Sequence, residues 1–215
     1  MITYMISIET VTSFFFVSIL LALSPGPDNI FVMSQSVAYG RKAGLCVVAG
    51  LCTGLIGHTA AVTLGIAAIV TNSPIIFTVI KTAGAMYLFY LGWQSLKSTE
   101  AYVLKGPLSS IKNNAASKLY LRGIIMNLSN PKVTLFFLAF LPQFTTHAHT
   151  SIAIQTVALG ALFILATLLV FSAIAIASGY IGELLQQSNR IHMIMHKITG
   201  LVFIALAISL LIRRL

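Results

Sequence analysis

Long apolar runs separated by short polar connectors make up most of the chain and predict membrane-spanning helices. Two runs, 43–71 and 148–182, contain no Asp, Glu, Lys or Arg, and both exceed the roughly 20 residues needed to cross bilayer hydrocarbon. Four further runs each carry a single charged residue: 10–36, 74–96, 123–147 and 191–212. The pattern predicts an all-α integral membrane protein with six transmembrane helices.

Composition agrees with a membrane protein and leaves no room for a separate soluble domain. Hydrophobic residues form 58% of the 215 positions and charged residues only 8%, against about 25% charged in soluble proteins. We therefore expect one transmembrane domain over 1–215, surrounded by membrane lipid. The first residues are not basic, and no small-x-small cleavage site follows the first apolar run cleanly, so we expect no cleavable signal peptide.

The basic residues lie in the connectors, which predicts an orientation. The connectors after the first, third and fifth runs hold most of them, whereas 71–73 and 145–150 hold none. The positive-inside rule then places the basic connectors in the cytoplasm and both termini outside, although Arg213 and Arg214 favour the opposite side for the C-terminus. Because the net charge of +9 is a topology signal of this kind, we expect no nucleic-acid partner.

Two of the apolar runs are interrupted by proline and polar residues. The first interruption is 24–29, which contains Pro25, Gly26, Pro27 and Asp28. Prolines lack a backbone donor and glycine permits unusual dihedral angles, so a helix must break there. A carboxylate inside a bilayer costs about 2.5–3.5 kcal/mol on insertion scales, and such residues usually mark a solute pathway.

The second interruption, 127–132, lies about a hundred residues further on, again in the first helix of a three-helix half. We therefore predict two repeats, about 8–97 and 118–215, joined by a flexible cytoplasmic loop over about 98–117. Because each half has an odd number of spans, the two halves enter the membrane from opposite sides. This arrangement is typical of secondary transporters with a site near the bilayer midplane. The alternative is an ordinary proline kink with a snorkelling Lys132.

These motifs resemble those of the LysE-type amino-acid exporter family, whose members export lysine, threonine, homoserine and leucine. Ser24 to Val32, continued by Gly40 to Leu45, is similar to the first-helix signature of the family. Similar segments follow in order over about 14–144: 81–93, 127–132, Phe136-Phe137 and 140–144. The resemblance implies amino-acid export by a multi-pass protein of the bacterial cytoplasmic (inner) membrane.

An amino-acid zwitterion needs an anionic or carbonyl-rich partner for its ammonium and a donor-rich partner for its carboxylate. Asp28, with the carbonyl groups freed by the break, suits the ammonium, and amides at the half-helix N-termini suit the carboxylate. Lys132 either assists the carboxylate end or pairs with Asp28 in the empty site. Asn29, Asn127 and Asn130 both donate and accept, which suits a wet cavity.

The predicted mechanism is export driven by proton antiport, in which the charge of Asp28 responds to the state of the cavity. Alternating access would follow from rocking one half against the other. The candidate flexible points are the proline and glycine residues of the breaks and of the fourth run: Pro25, Gly26, Pro27, Pro131 and Pro142. No cofactor is predicted.

Two accessory residues lie within other runs. His58 is either a proton relay or a histidine hydrogen-bonded across helices, and Lys81 either snorkels outward or faces the cavity. His147 and His149 form a weak candidate metal pair because no Cys, Asp or Glu lies near them in the chain, so we predict no metal site.

Other functional classes fit less well. Asp28 is the sole aspartate and no His-Glu-x-x-His occurs, so an intramembrane enzyme with an aspartate dyad or that zinc motif is excluded. A channel or structural membrane subunit without coupled transport remains the alternative, and ohmic, proton-independent flux would favour the channel. The small-residue faces are compatible with a homodimer. The sequence does not identify which amino acid is exported.

Overall fold

The computed structural model describes residues 6–24, 26–72, 74–97, 116–146, 150–187 and 189–212. This part of the chain contains helices and no strand, in agreement with the predicted all-α class. Several predictions concern residues outside it: the break residue Pro25, the histidine pair His147 and His149, the C-terminal arginines, and 98–115 of the predicted loop.

Eight α-helices occupy the described residues, and the sixth continues through a π-helical turn, Phe136–Phe140, into a 3-10 turn, Leu141–Phe144. In chain order they are α1 (Ile8–Leu23), α2 (Pro27–Tyr39), α3 (Arg41–Asn72), α4 (Pro74–Lys97), α5 (Ala116–Leu128), α6 (Pro131–Leu135), α7 (Ile152–Gln187) and α8 (Asn189–Ile212).

Each predicted apolar run corresponds to a helix or to a bent helix pair. Among the described residues, Arg41–Gly65 of α3 and Ile152–Ser178 of α7 are long and apolar enough to cross a membrane. Two bent pairs raise that number to four if each pair forms one span: α1 with α2, at 61°, and α5 with α6 and its continuation, at 49°. The count of six spans stays a prediction.

Local sequence accounts for where the first helices begin and end. Ser7 caps α1, since its side chain accepts a hydrogen bond from Thr10 N at 3.1 Å. Gly40 joins α2 to α3 with a φ of 84°, a left-handed conformation that glycine adopts without strain. The chain therefore turns sharply from the first bent pair into the long helix α3.

Close helix crossings hold the bundle together. Helix α3 packs against α5 and α7, α1 packs against α7, and α4 packs against α8. At the α3–α5 crossing, a Cβ added to Gly50 would lie 3.0 Å from the Cα of Gly123. At the α4–α8 crossing, a Cβ added to Gly92 would lie 2.9 Å from Gly200 O. Small residues at these points let the backbones approach, as is common in membrane helices.

Aromatic side chains fill the interior beside the second break. Phe136 stacks on Phe140 and lies against Phe163, with ring centroids 5.0 Å apart in each pair. Phe14 of α1 joins the cluster at 5.8 Å from Phe136. Large apolar side chains also cover the outside of the bundle, among them Leu64, which is 79% exposed. An outer surface of this kind suits contact with lipid.

Candidate functional site

The two helix breaks supply the residues of one buried site. Proline opens both helices that follow the breaks, Pro27 in α2 and Pro131 in α6. An α-helical carbonyl accepts from the N–H four residues later, and proline has no N–H. The carbonyls of Leu21, Leu23 and Asn127, each four residues before a proline of the sequence, therefore lose their usual partners.

At the end of α1, side chains donate to carbonyls for which the helix itself provides no N–H. Lys132 Nζ donates to Ser24 O at 3.0 Å and to Leu21 O at 3.3 Å. Asn29 Nδ2 donates to Ala22 O at 2.8 Å. A cation at a helix C-terminus is also favoured by the helix dipole. The second break thus supplies, through Lys132, the cap for the helix that ends at the first break.

Asp28 lies in the first turn of α2 and is 4% exposed. Its Oδ2 accepts a hydrogen bond from Asn130 Nδ2 at 2.9 Å. Its Oδ1 is buried and has no hydrogen-bond partner in the described part of the chain. Buried polar atoms without a partner are rare, because each carries the full cost of its lost hydration. Oδ1 is therefore an acceptor available to a proton or to a ligand.

Asn130 connects the two breaks. Its Oδ1 accepts from Lys132 N at 3.0 Å as the cap of α6, while its amide donates to Asp28. Asp28 and Lys132 both occupy the second helical position after a break. Within the described residues no hydrogen bond or ion pair joins these two side chains, so the donors of Lys132 serve α1 in this conformation.

The five predicted binding residues are all buried at the paired breaks: Asp28, Asn29, Asn127, Asn130 and Lys132. Of the predicted flexible points that the structure describes, Gly26 lies against the ammonium, since a Cβ there would be 3.2 Å from Lys132 Nζ. Pro142 lies apart in the 3-10 turn, where its carbonyl accepts from Thr145 N.

The accessory residues differ in position. His58 Nε2 lies 3.1 Å from Asn127 O, and the His58 ring centroid lies 5.6 Å from that of Phe137. This geometry matches the histidine that bonds across helices, and it gives a second partner to Asn127 O, which also accepts from Asn130 N. Lys81 is partly buried on α4 and does not line the cavity at Asp28.

A small cavity lies against Asp28, Lys132 and Asn127. Its volume is about 10 Å³, which holds about one water molecule. The rest of its lining is apolar or uncharged: Leu21, Ala22, Leu51, Val133, Phe163, Thr167 and Phe171. An amino acid does not fit beside Asp28 until this space widens.

The residues of α7 and α3 that line this cavity were not predicted from the sequence. Phe163, Thr167 and Phe171 recur every four residues and so share one face of α7. That spacing is the only sequence signal, and in a run without charged residues it does not say which face points inward. Elsewhere in the described ranges, no group of three or more His, Cys, Asp or Glu could hold a metal ion.

Comparison with known proteins places the chain in a family. The family described as LysE type translocator matches residues 19–214. The chain belongs to this family. The match confirms the resemblance of the break motifs, and it identifies a translocator, so the helices are those of a multi-pass membrane protein.

Two relatives give further context for this LysE type translocator. It is 34% identical over 158 residues to the homoserine/homoserine lactone efflux protein of Salmonella typhi, covering 74% of this chain and 75% of that protein. It is 30% identical over 199 residues to the uncharacterized membrane protein YrhP of Bacillus subtilis (strain 168), covering 90% and 94%. No solved structure matches the chain significantly.

Proposed function

We propose that this translocator exports amino acids or close derivatives from the bacterial cytoplasm across the inner membrane. The family and the efflux protein of Salmonella typhi support transport of an amino-acid-like solute. The observation that carries the proposal is the buried Oδ1 of Asp28, an acceptor without a partner in the described residues, beside a small cavity. A substrate ammonium would satisfy that oxygen.

The groups around the cavity complement both ends of a zwitterion. Asp28 and the carbonyls of Leu21 and Ser24 take the ammonium in this proposal, because all are acceptors. The first N–H groups of α2, which have no partner within their own helix, take the carboxylate, since a helix N-terminus attracts anions.

The cavity wall favours a compact, uncharged substrate side chain. Leu51, Phe163 and Phe171 are apolar, and Thr167 offers one hydroxyl group. A second charge on the substrate would lie against this wall without a partner, which is costly in a site away from water. Homoserine, whose side chain ends in a hydroxyl group, meets these requirements.

Alternating access is the transport mechanism that we propose, and the packing of the two halves on each other supports it. The contact of α3 with α5 is mirrored by that of α7 with α1, while α3–α7 and α4–α8 pair corresponding helices. This pattern supports two related three-helix halves, and their opposite insertion with six spans is part of the proposal. A cavity of about 10 Å³ must open before substrate enters, and rocking of the halves supplies that opening.

Proton antiport is the proposed driving force, with Asp28 as the residue that exchanges substrate for a proton. Both the ammonium and a proton would occupy the same unpartnered carboxylate oxygen, so one excludes the other. Uptake of a proton from outside would then release the substrate there. Asn130 holds the other oxygen in place through its 2.9 Å hydrogen bond.

Efflux from proteoliposomes tests the proposal. Vesicles containing the purified chain are loaded with labelled amino acids of neutral, cationic and anionic side chain, and with homoserine lactone. We expect neutral substrates to leave faster when the outside is acidified, and empty vesicles to leak at a common slow rate. Failure of every substrate would overturn the proposal, and ohmic flux that ignores the proton gradient would favour a channel.

A further inference from the structure

The ammonium site of this translocator is already occupied by a group of the chain itself. Lys132 Nζ binds the carbonyls of Leu21 and Ser24, and its side chain is 8% exposed. We propose that Lys132 is a built-in competitor of the substrate, so that the substrate ammonium enters by displacing Lys132 from the end of α1. This inference rests on the proposed function and adds the event that opens its site.

The chemistry of the two ammonium groups is the same. Lysine and an amino acid at neutral pH each present –NH₃⁺ with three donors. Leu21 O is an orphan acceptor because the residue four positions later is Pro25. Whichever ammonium binds there also gains from the negative end of the α1 dipole. A site that holds the lysine ammonium through carbonyl oxygens therefore suits the substrate equally well.

The available space does not allow the ammonium of Lys132 and that of the substrate to be bound at the same time. The cavity beside Lys132 and Asp28 measures about 10 Å³, enough for one water molecule and not for a second ammonium with its carbon chain. Gly26 leaves no further room, since a Cβ at this residue would lie 3.2 Å from Lys132 Nζ. Binding of substrate therefore requires Lys132 to move.

Asp28 gives the substrate ammonium an acceptor that Lys132 does not use in this conformation. Asp28 Oδ1 lacks a partner in the residues that the structure describes, and Asp28 and Lys132 line the same cavity. When the substrate ammonium takes the α1 carbonyls together with Asp28 Oδ1, Lys132 loses its two acceptors and its side chain has to leave the end of α1. Substrate binding thus breaks the hydrogen bonds through which Lys132, at the second break, holds the end of α1 at the first. A coupled transporter requires such a change on substrate binding.

Removing the competitor tests the inference. Binding of L-homoserine and L-homoserine lactone is measured on the purified full-length chain at mildly acidic pH, where the lactone amine is protonated. Lys132→Met removes the ammonium and keeps the length of the side chain. The apparent affinity of a site equals its intrinsic affinity multiplied by the fraction of time that the site is free. If Lys132 occupies it about nine-tenths of the time, Lys132→Met binds the lactone about tenfold more tightly.

The lactone is the deciding probe because it has an ammonium but no free carboxylate. If Lys132 instead clamps the substrate carboxylate, Lys132→Met weakens homoserine binding and leaves lactone binding unchanged, which would overturn the inference. Lys132→Arg keeps a cation at this position and is expected to show no gain in affinity. Lys132→Gln keeps a donor for the α1 carbonyls without the charge, so it is expected to gain affinity even if Lys132→Met does not fold.

The two proposals fail in different ways. If the wild-type chain transports none of the labelled amino acids, homoserine and homoserine lactone included, and the neutral variants bind neither of these two compounds, the proposed function fails. If the wild-type chain transports homoserine but both neutral variants bind the lactone no better than wild type does, only the competitor role of Lys132 fails.

Discussion

Gly54 of α3 lies directly behind Asn127 of the site, and replacing it with alanine is the most local perturbation that the fold offers. A Cβ at Gly54 would lie 2.7 Å from Asn127 Oδ1 and 2.8 Å from Asn127 Cβ. Carbon atoms in favourable contact are about 3.5–4.0 Å apart. Gly54→Ala must therefore displace Asn127, including its Cβ, by about 0.7 Å or more.

The expected cost follows from two opposing effects. Overpacking a closely packed interior costs about 1–3 kcal/mol, whereas alanine in place of glycine inside a helix gains about 1 kcal/mol. The net loss is about 0–2 kcal/mol, which lowers the melting temperature by at most about 8 °C at this chain length. The effect on transport is larger, because a misplacement of about 1 Å in a positioned group costs up to 100-fold in enzymes.

Gly57→Ala, nearly one turn along α3, is the matched control. Its Cβ would meet only Leu128 Cδ2, at 3.1 Å, and that is the free end of a flexible side chain. We expect Gly54→Ala to slow homoserine efflux from proteoliposomes about tenfold and Gly57→Ala to leave the rate unchanged. Equal rates for the two variants at equal reconstitution would refute the placement of Asn127 in the transport site.

Two further variants test the packing and the link between the breaks. Gly50→Ala places a Cβ 3.0 Å from both Gly123 Cα and Ile124 N, whereas a Cβ at Gly65 on the same helix, its control, meets nothing within 4 Å. We therefore expect Gly50→Ala to melt at a lower temperature than Gly65→Ala. Coinciding melting curves would contradict the close α3–α5 crossing. Asn130→Ala removes a helix cap worth about 1 kcal/mol and a hydrogen bond to a carboxylate worth about 1.5–3 kcal/mol. It should lower the melting temperature by at least about 5 °C, and an unchanged value would show that Asn130 does not join the two halves.

The positions of the helix breaks were predictable because their cause is local. Proline removes donors wherever it occurs, and α1 ends at Leu23 while α6 begins at Pro131, as the two motifs indicate. The chemical character of the site was predictable for the same reason. An aspartate and a lysine within apolar runs require partners, and the structure places both at the paired breaks.

The partner of Lys132 was not predictable, because Ser24 lies 108 residues away in the chain and only the packing of the halves brings them together. The cavity wall on α7 was missed since that helix is apolar on every side, and without polar contrast no face is marked as internal. The π-helical turn at Phe136–Phe140 was also not predictable from the sequence. Its residues would also fit an α-helix, and the contacts of Phe136 and Phe137 with Phe163 are tertiary contacts.

We propose that Asp28 exchanges substrate for protons in this site, and proton-driven efflux by Asp28→Asn tests this exchange most directly. Asparagine keeps the size and the hydrogen-bonding capacity of the side chain, but its amide does not take up a proton at the pH values of the assay. Homoserine efflux from proteoliposomes is measured with and without an acidified exterior. We predict that acidification accelerates efflux by the wild-type chain and leaves efflux by Asp28→Asn unaffected. Equal acceleration of both proteins would contradict it.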